Sequence, residues 1–131
     1  MCCLANIANV QNYSNKFDVY PKFLSNALKV RQSSKYPPLD QHEERLMDQL
    51  ATSWSKGQKI TVLLTMRMCE DASPSTVHRR LKTLRIKGML DLQLDEDDNR
   101  VKYIVPTELA KSYITALGQS VVMAVGSEPA G

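Results

Sequence analysis

Residues 73–88, Ser-Pro-Ser-Thr-Val-His-Arg-Arg-Leu-Lys-Thr-Leu-Arg-Ile-Lys-Gly, constrain this chain more than any other segment. Ser73 is a good N-cap, and Pro74 fits the first helical position, where its missing N–H costs nothing. Gly88 is placed to stop the helix in the left-handed conformation. A helix is therefore predicted over 74–87. At about 100° per residue, Val77, Leu81 and Leu84 fall in one narrow sector and must face a core. Ser75, Arg79, Lys82 and Thr83 lie on roughly the opposite side, with Thr76 beside them. His78 and Arg85 flank one edge of the apolar stripe, and Arg80 and Lys87 the other. The run 74–88 holds Arg79, Arg80, Lys82, Arg85 and Lys87 and no acid. Such a cluster on one element is the electrostatic footprint of a phosphate-binding surface. The net charge of +3 is too small to imply this alone; its distribution says more.

The rest of the chain supplies a frame for that helix. Its 131 residues suit one domain with a single core and flexible ends, and 43% hydrophobic with 24% charged residues is an ordinary globular balance. Residues 1–13 have no sustained period and read as a flexible arm. Phe17, Tyr20, Phe23, Leu24, Ala27 and Leu28 are near helical spacing, so 14–36 is predicted as an N-terminal helix and linker, with Pro21 in a first turn or at a kink. Asp40 and Glu43 have capping-box spacing ahead of a helix whose stripe is Leu46, Met47, Leu50, Ala51 and Trp54, ended by Gly57. Ile60 pairs briefly as a strand, and Thr61 caps a short helix. After Gly88, Leu90–Leu94 and Val101–Val105 flank the polar tip 95–100, which predicts a hairpin. Pro106-Thr107-Glu108 opens a last helix over about 107–125, and 126–131 are expected to be disordered.

The element order is helix, helix, short helix, turn, helix, hairpin, helix. A groove-reading helix needs an apolar anchor on one side and hydrogen-bonding side chains on the other, and this one has both. Arg79 could pair bidentately with a guanine edge, and Ser75 and Thr76 could meet phosphates or bases. Arg80, Lys82 and Arg85 suit phosphate positioning. Ser73, His78 and Thr83 complete the candidate DNA-binding set on this helix. A solvated basic helix is the plainer alternative; the short helix before it and the hairpin after it favour the groove.

Taken together, residues 73–90 resemble the recognition helix of MarR-type winged helix-turn-helix transcriptional regulators. Asp98-Asn99-Arg100-Val101-Lys102 looks like that family's wing signature, and Val105-Pro106-Thr107-Glu108 is similar to the start of its next helix. The resemblance covers roughly 39–118. It implies a mainly α fold with a small β-hairpin (α+β), a winged helix-turn-helix over 37–106 with additional N- and C-terminal helices. It further implies a sequence-specific regulator of double-stranded DNA, with helix 74–87 in the major groove and the hairpin wing 90–105 beside it. Arg100 would reach the minor groove, oriented by Asp98, or the two would simply brace the hairpin; Lys102 joins the candidate set. The departure is the acidic run Asp95-Glu96-Asp97-Asp98, which repels phosphate and implies a weakened wing. A homodimer is implied through 14–36 and 107–125, where Phe17, Phe23, Leu24 and Leu28 could pack with Tyr113, Ile114, Leu117, Val121, Val122 and Val125; the plainer alternative is that these residues are ordinary intrachain core.

Other classes have less support. The acidic tip would suit a winged helix used as a protein–protein module without strong DNA binding. An enzyme is not expected, because no nucleophile–base pair or glycine-rich phosphate loop is present. No cofactor or metal is expected, since only His42 and His78 accompany Cys2, Cys3 and Cys69, without ligand spacing. No polar set converges on an effector pocket, so a small-molecule effector is open but unsupported, and redox sensing through Cys2, Cys3 or Cys69 is open with little to activate any of them. Three cysteines without a disulfide framework imply a reducing cytoplasm, and neither a signal peptide nor a membrane span is apparent.

Overall fold

The computed structural model describes residues 2–69 and 71–126, with side chains from residue 16 onward. In chain order the elements are α1 (Cys2–Arg31), α2 (Gln41–Ser55), β1 (Ile60–Thr61), α3 (Val62–Met68), α4 (Pro74–Ile86), β2 (Leu90–Leu94), β3 (Lys102–Pro106) and α5 (Glu108–Gly126). This is the expected winged helix, with five helices and one small sheet among the described residues. The chain divides into two compact units, a central one over Pro37–Ile114 and a terminal one from the chain before and after it.

In the central unit, helix ends are set where the capping chemistry predicts. The Glu43 amide donates to Asp40 Oδ1 at 2.8 Å, and the Asp40 amide donates to Glu43 Oε1 at 3.0 Å, completing the capping box of α2. Gly57 (φ +72°) ends that helix, its amide donating to Trp54 and the Gln58 amide to Ser53. Thr61 caps α3, its Oγ1 accepting from the Leu64 amide at 3.0 Å. Thr107 precedes α5; its hydroxyl donates to the Gly88 carbonyl and accepts from the Ala110 amide.

The sheet is antiparallel in the order β1-β3-β2. Leu92 faces Ile104 across the hairpin, and Ile60 pairs with Ile104 from the other side. Trp54 Nε1 donates to the Ile104 carbonyl at 3.0 Å, tying α2 to the central strand. Leu46, Met47 and Leu50 of α2, Val77, Leu81 and Leu84 of α4, and Ile60, Met89, Leu90 and Ile104 of the sheet region are all buried. That shared core fixes which side of α4 points inward.

The terminal unit differs from expectation at its start. The sequence predicts a loose arm over 1–13, whereas α1 is helical from Cys2, with Pro21 inside it and exposed. An apolar period reports burial rather than helix, so a segment without one is invisible to that signal. Gly126 closes α5, and the remainder of the expected tail lies outside the described residues.

Candidate nucleic-acid interface

The position of α4 follows from its two ends. Ser73 Oγ accepts from the Thr76 amide at 3.3 Å, and Pro74 fills the first turn. At the other end the Gly88 amide donates to Arg85 and the Met89 amide to Leu84, with Gly88 at φ +81°. These two bonds make a Schellman motif, and its accompanying apolar contact positions, Leu84 and Met89, are both fully buried. Between the ends, Val77, Leu81 and Leu84 face the core, and Ser75, His78, Arg79, Lys82, Arg85 and Ile86 are exposed. The division expected from the sequence is therefore present. Ile86, 77% exposed in phase with Ser75, Arg79 and Lys82, adds an apolar end to the outward stripe. Its helical phase alone would have shown this.

The candidate residues fall into four groups. His78, Lys82 and Arg85 share one groove with Lys102 of β3, over an apolar floor of Val62, Leu81 and Leu92. Arg79, Arg80 and Thr83 line a second concavity with Asp40, His42 and Glu43. Ser73, Ser75 and Thr76 form a hydroxyl cluster at the helix start, Ser73 Oγ lying 2.8 Å from Thr76 Oγ1 and 3.2 Å from Ser75 Oγ. Arg100 stands apart at the hairpin tip.

Several of these groups have intramolecular partners that narrow their roles. The Thr83 hydroxyl donates to the Arg79 carbonyl at 3.0 Å, so its proton is engaged within the helix. Arg85 Nε lies 3.4 Å from Asp91 Oδ1, both side chains more than half exposed, so the pair contributes little. Arg79 and Lys82 form no ion pair among the described residues. Two residues outside the predicted set join the surface: His42 and Arg45 of α2, exposed beside Arg80. Their spacing of three is visible in the sequence, but the apolar stripe of the same helix is the stronger signal.

The hairpin tip is more ordered than a run of four acids implies. Asp95 Oδ1 accepts from the Tyr103 hydroxyl at 2.8 Å, and Oδ2 accepts from the Asp97 and Asp98 amides at 3.0 Å. These bonds, the Tyr103 hydroxyl first, hold the Asp95 carboxyl below its ordinary range and push the Tyr103 phenol up. The Lys59 ammonium sits over the Tyr103 ring, 5.3 Å from its centroid. Asp98 Oδ1 accepts from Arg100 Nε at 3.2 Å and from the Arg100 amide at 3.0 Å. The Arg100 side chain is nonetheless 92% exposed, so bracing and outward presentation coexist. Glu96 and Asp97 are the two acids whose carboxylates have no partner among the described residues.

Cys69 follows α3 in the turn before α4, and its Sγ donates to Gln49 Oε1 at 3.3 Å. Burial first, then Asp71, pushes the thiol up, with Arg80 opposing; fewer thiolates form, which weighs against a reactive cysteine. Among the described residues, no cluster of three His, Cys, Asp or Glu side chains is placed to hold a metal ion. No helix there is long and apolar enough to cross a membrane.

No family model matches the chain, and no curated protein sequence matches it. Solved structures do. The chain is similar to a mutant MarR from E. coli complexed with operator DNA (13% identity, 95% of this chain and 78% of that one, TM-score 0.54). It is also similar to the YusO protein from Bacillus subtilis (13% identity, 96% and 81%, TM-score 0.59). A third likeness is transcriptional regulator Tm0710 from Thermotoga maritima (14% identity, 96% and 78%, TM-score 0.55). At these identities the likeness establishes the winged-helix fold, with helices added at both ends.

Proposed function

We propose that this chain is a sequence-specific DNA-binding transcriptional regulator whose α4 enters the major groove. One observation carries the reading: α4 is anchored by three buried apolar residues and presents Ser75, Arg79 and Lys82 outward, with its N-terminus capped and exposed. A helix docked by its N-terminal half can bring Arg79 to a guanine edge, while Lys82 and the His78–Arg85–Lys102 groove take the adjacent backbone. Arg100 extends the contact toward the minor groove, with its Nε held by Asp98 and its terminal N–H groups outward. The E. coli neighbour complexed with operator DNA shares this fold and supports the reading.

Two copies acting together fit the terminal unit. Phe17, Tyr20, Leu24 and Leu28 follow one another at helical spacing on α1, and all are exposed; Val121, Val122 and Val125 are exposed on α5. Apolar stripes of this extent mark an interaction surface, and two-fold pairing would match two half-sites on DNA.

Binding to a mixed-sequence duplex at low salt tests the reading. Affinity that falls with rising salt, and falls again in the Arg79→Ala/Lys82→Ala variant, is expected. No binding, or binding that ignores that variant, would leave the protein–protein module as the better account.

A further inference from the structure

Lys87 ends the basic run, yet its ammonium is committed inside the protein. It donates to the Pro38 carbonyl at 2.8 Å and to Glu43 Oε1 and Oε2 at 2.9 Å each. The acceptors around the ammonium are thus one backbone carbonyl and both oxygens of a single carboxylate. The Glu43 side chain is only 5% exposed and that of Lys87 26%, unlike the open Arg79 and Lys82. Glu43 Oε1 also accepts from the Asp40 amide at 3.0 Å. One carboxylate thus joins the first turn of α2, the last turn of α4 and the segment leading into α2.

We propose that Lys87 and Glu43 are positioning residues, a clamp that fixes the C-terminal end of α4 so that its outward side chains meet base edges in register, and that Lys87 does not bind phosphate. The proposal rests on the DNA-binding reading above. Base discrimination requires side chains held to within about half an ångström of their productive place. The N-terminal end of α4 is set by Ser73, and the core sets its roll. Without the clamp, the far end keeps its Gly88–Thr107 bond and the buried Leu84 and Met89 but loses its directed, charge-assisted tie to α2. The two charges act as a unit, since removing Lys87 would strand the Glu43 carboxylate, whose side chain is only 5% exposed, in a buried site.

The variant Glu43→Gln/Lys87→Met removes both charges, keeps the length of residue 43, shortens residue 87 by one atom and retains a capping-box residue. Glu43→Gln alone is the milder companion and is expected to act in the same direction. Each is compared with wild type for a duplex selected by the wild-type protein from a random library and for a scrambled duplex, over a range of salt. Amide exchange of the last turn of α4 is followed in the free protein. Preference for the selected duplex is expected to fall about tenfold, the loss of one well-aligned base contact, with the salt slope unchanged. Exchange of the Arg85–Gly88 amides is expected to quicken. A slope reduced by about 0.9 would make Lys87 a phosphate ligand and overturn the proposal. Unchanged preference or unchanged exchange would overturn it as well. Failure of the wild type to bind any duplex would refute the DNA reading instead, and the exchange comparison would still decide the clamp.

Discussion

Arg79 and Lys82 stand three residues apart on the outward stripe of α4 and are expected to behave differently. Arg79 offers a planar fork suited to a guanine edge, so Arg79→Ala should cost about 1–3 kcal/mol on a preferred duplex and much less on a scrambled one. Lys82→Ala should weaken both duplexes alike and lower the salt slope by about 0.9, as loss of one phosphate contact does. Fluorescence anisotropy titrations over a salt series separate the two. Asp40 carries a stability claim of the same kind. Its carboxyl is held below its ordinary value chiefly by the Glu43 amide, so folding favours the charged form. That contribution is complete above the ordinary value and fades as pH falls through the lowered one. As loss of an N-cap, Asp40→Ala should cost about 1 kcal/mol near neutral pH in urea unfolding, and the direction of the carboxyl's shift means that the gap narrows in acid.

At the scale of elements, the ends of α4 matter as much as its faces. Gly88 sits at φ +81°, where a side chain is strained, although an added Cβ would meet only Leu109 at 3.8 Å. Gly88→Ala is expected to destabilise the protein by about 1–2 kcal/mol through backbone conformation rather than crowding. The hairpin gives a second test. Tyr103→Phe removes the first hydrogen bond to Asp95, so the Asp95 carboxyl should titrate closer to its ordinary value, and the Asp97 and Asp98 amides should exchange faster, both read by NMR.

Much of this was legible in the residues. Ser73-Pro74 and Gly88 mark α4 because cap chemistry is local, and Val77, Leu81 and Leu84 orient it because helical phase is local too. The clamp was not legible, since Lys87 and Glu43 are 44 residues apart and each has a sufficient local explanation, one as a basic neighbour and the other as a cap. The Asp98–Arg100 pair was expected from the wing resemblance, whereas the role of Asp95 was hidden for the opposite reason: four adjacent acids look like one charge cluster until the turn geometry distributes their partners. Residues 2–13 of α1 lack an apolar period, so their helix left no pattern to find.

At the scale of the whole molecule, the exposed stripes on α1 and α5 support pairing of two chains. The solution mass is expected to be twice the 14.8 kDa of one chain. A charge placed in a stripe, Leu24→Asp or Val122→Asp, should shift the mass toward one chain and weaken DNA binding together. A variant that becomes monomeric but binds a duplex unchanged would separate the two surfaces and remove the need for paired half-sites.

The central claim is that α4 reads bases in the major groove, and selection from a random duplex library with wild type and Arg79→Ala addresses it most directly. The expected wild-type consensus is a palindrome with a guanine in each half-site, and Arg79→Ala should relax that position in both halves while leaving the others. No enriched sequence, or the same consensus from both proteins, would contradict it.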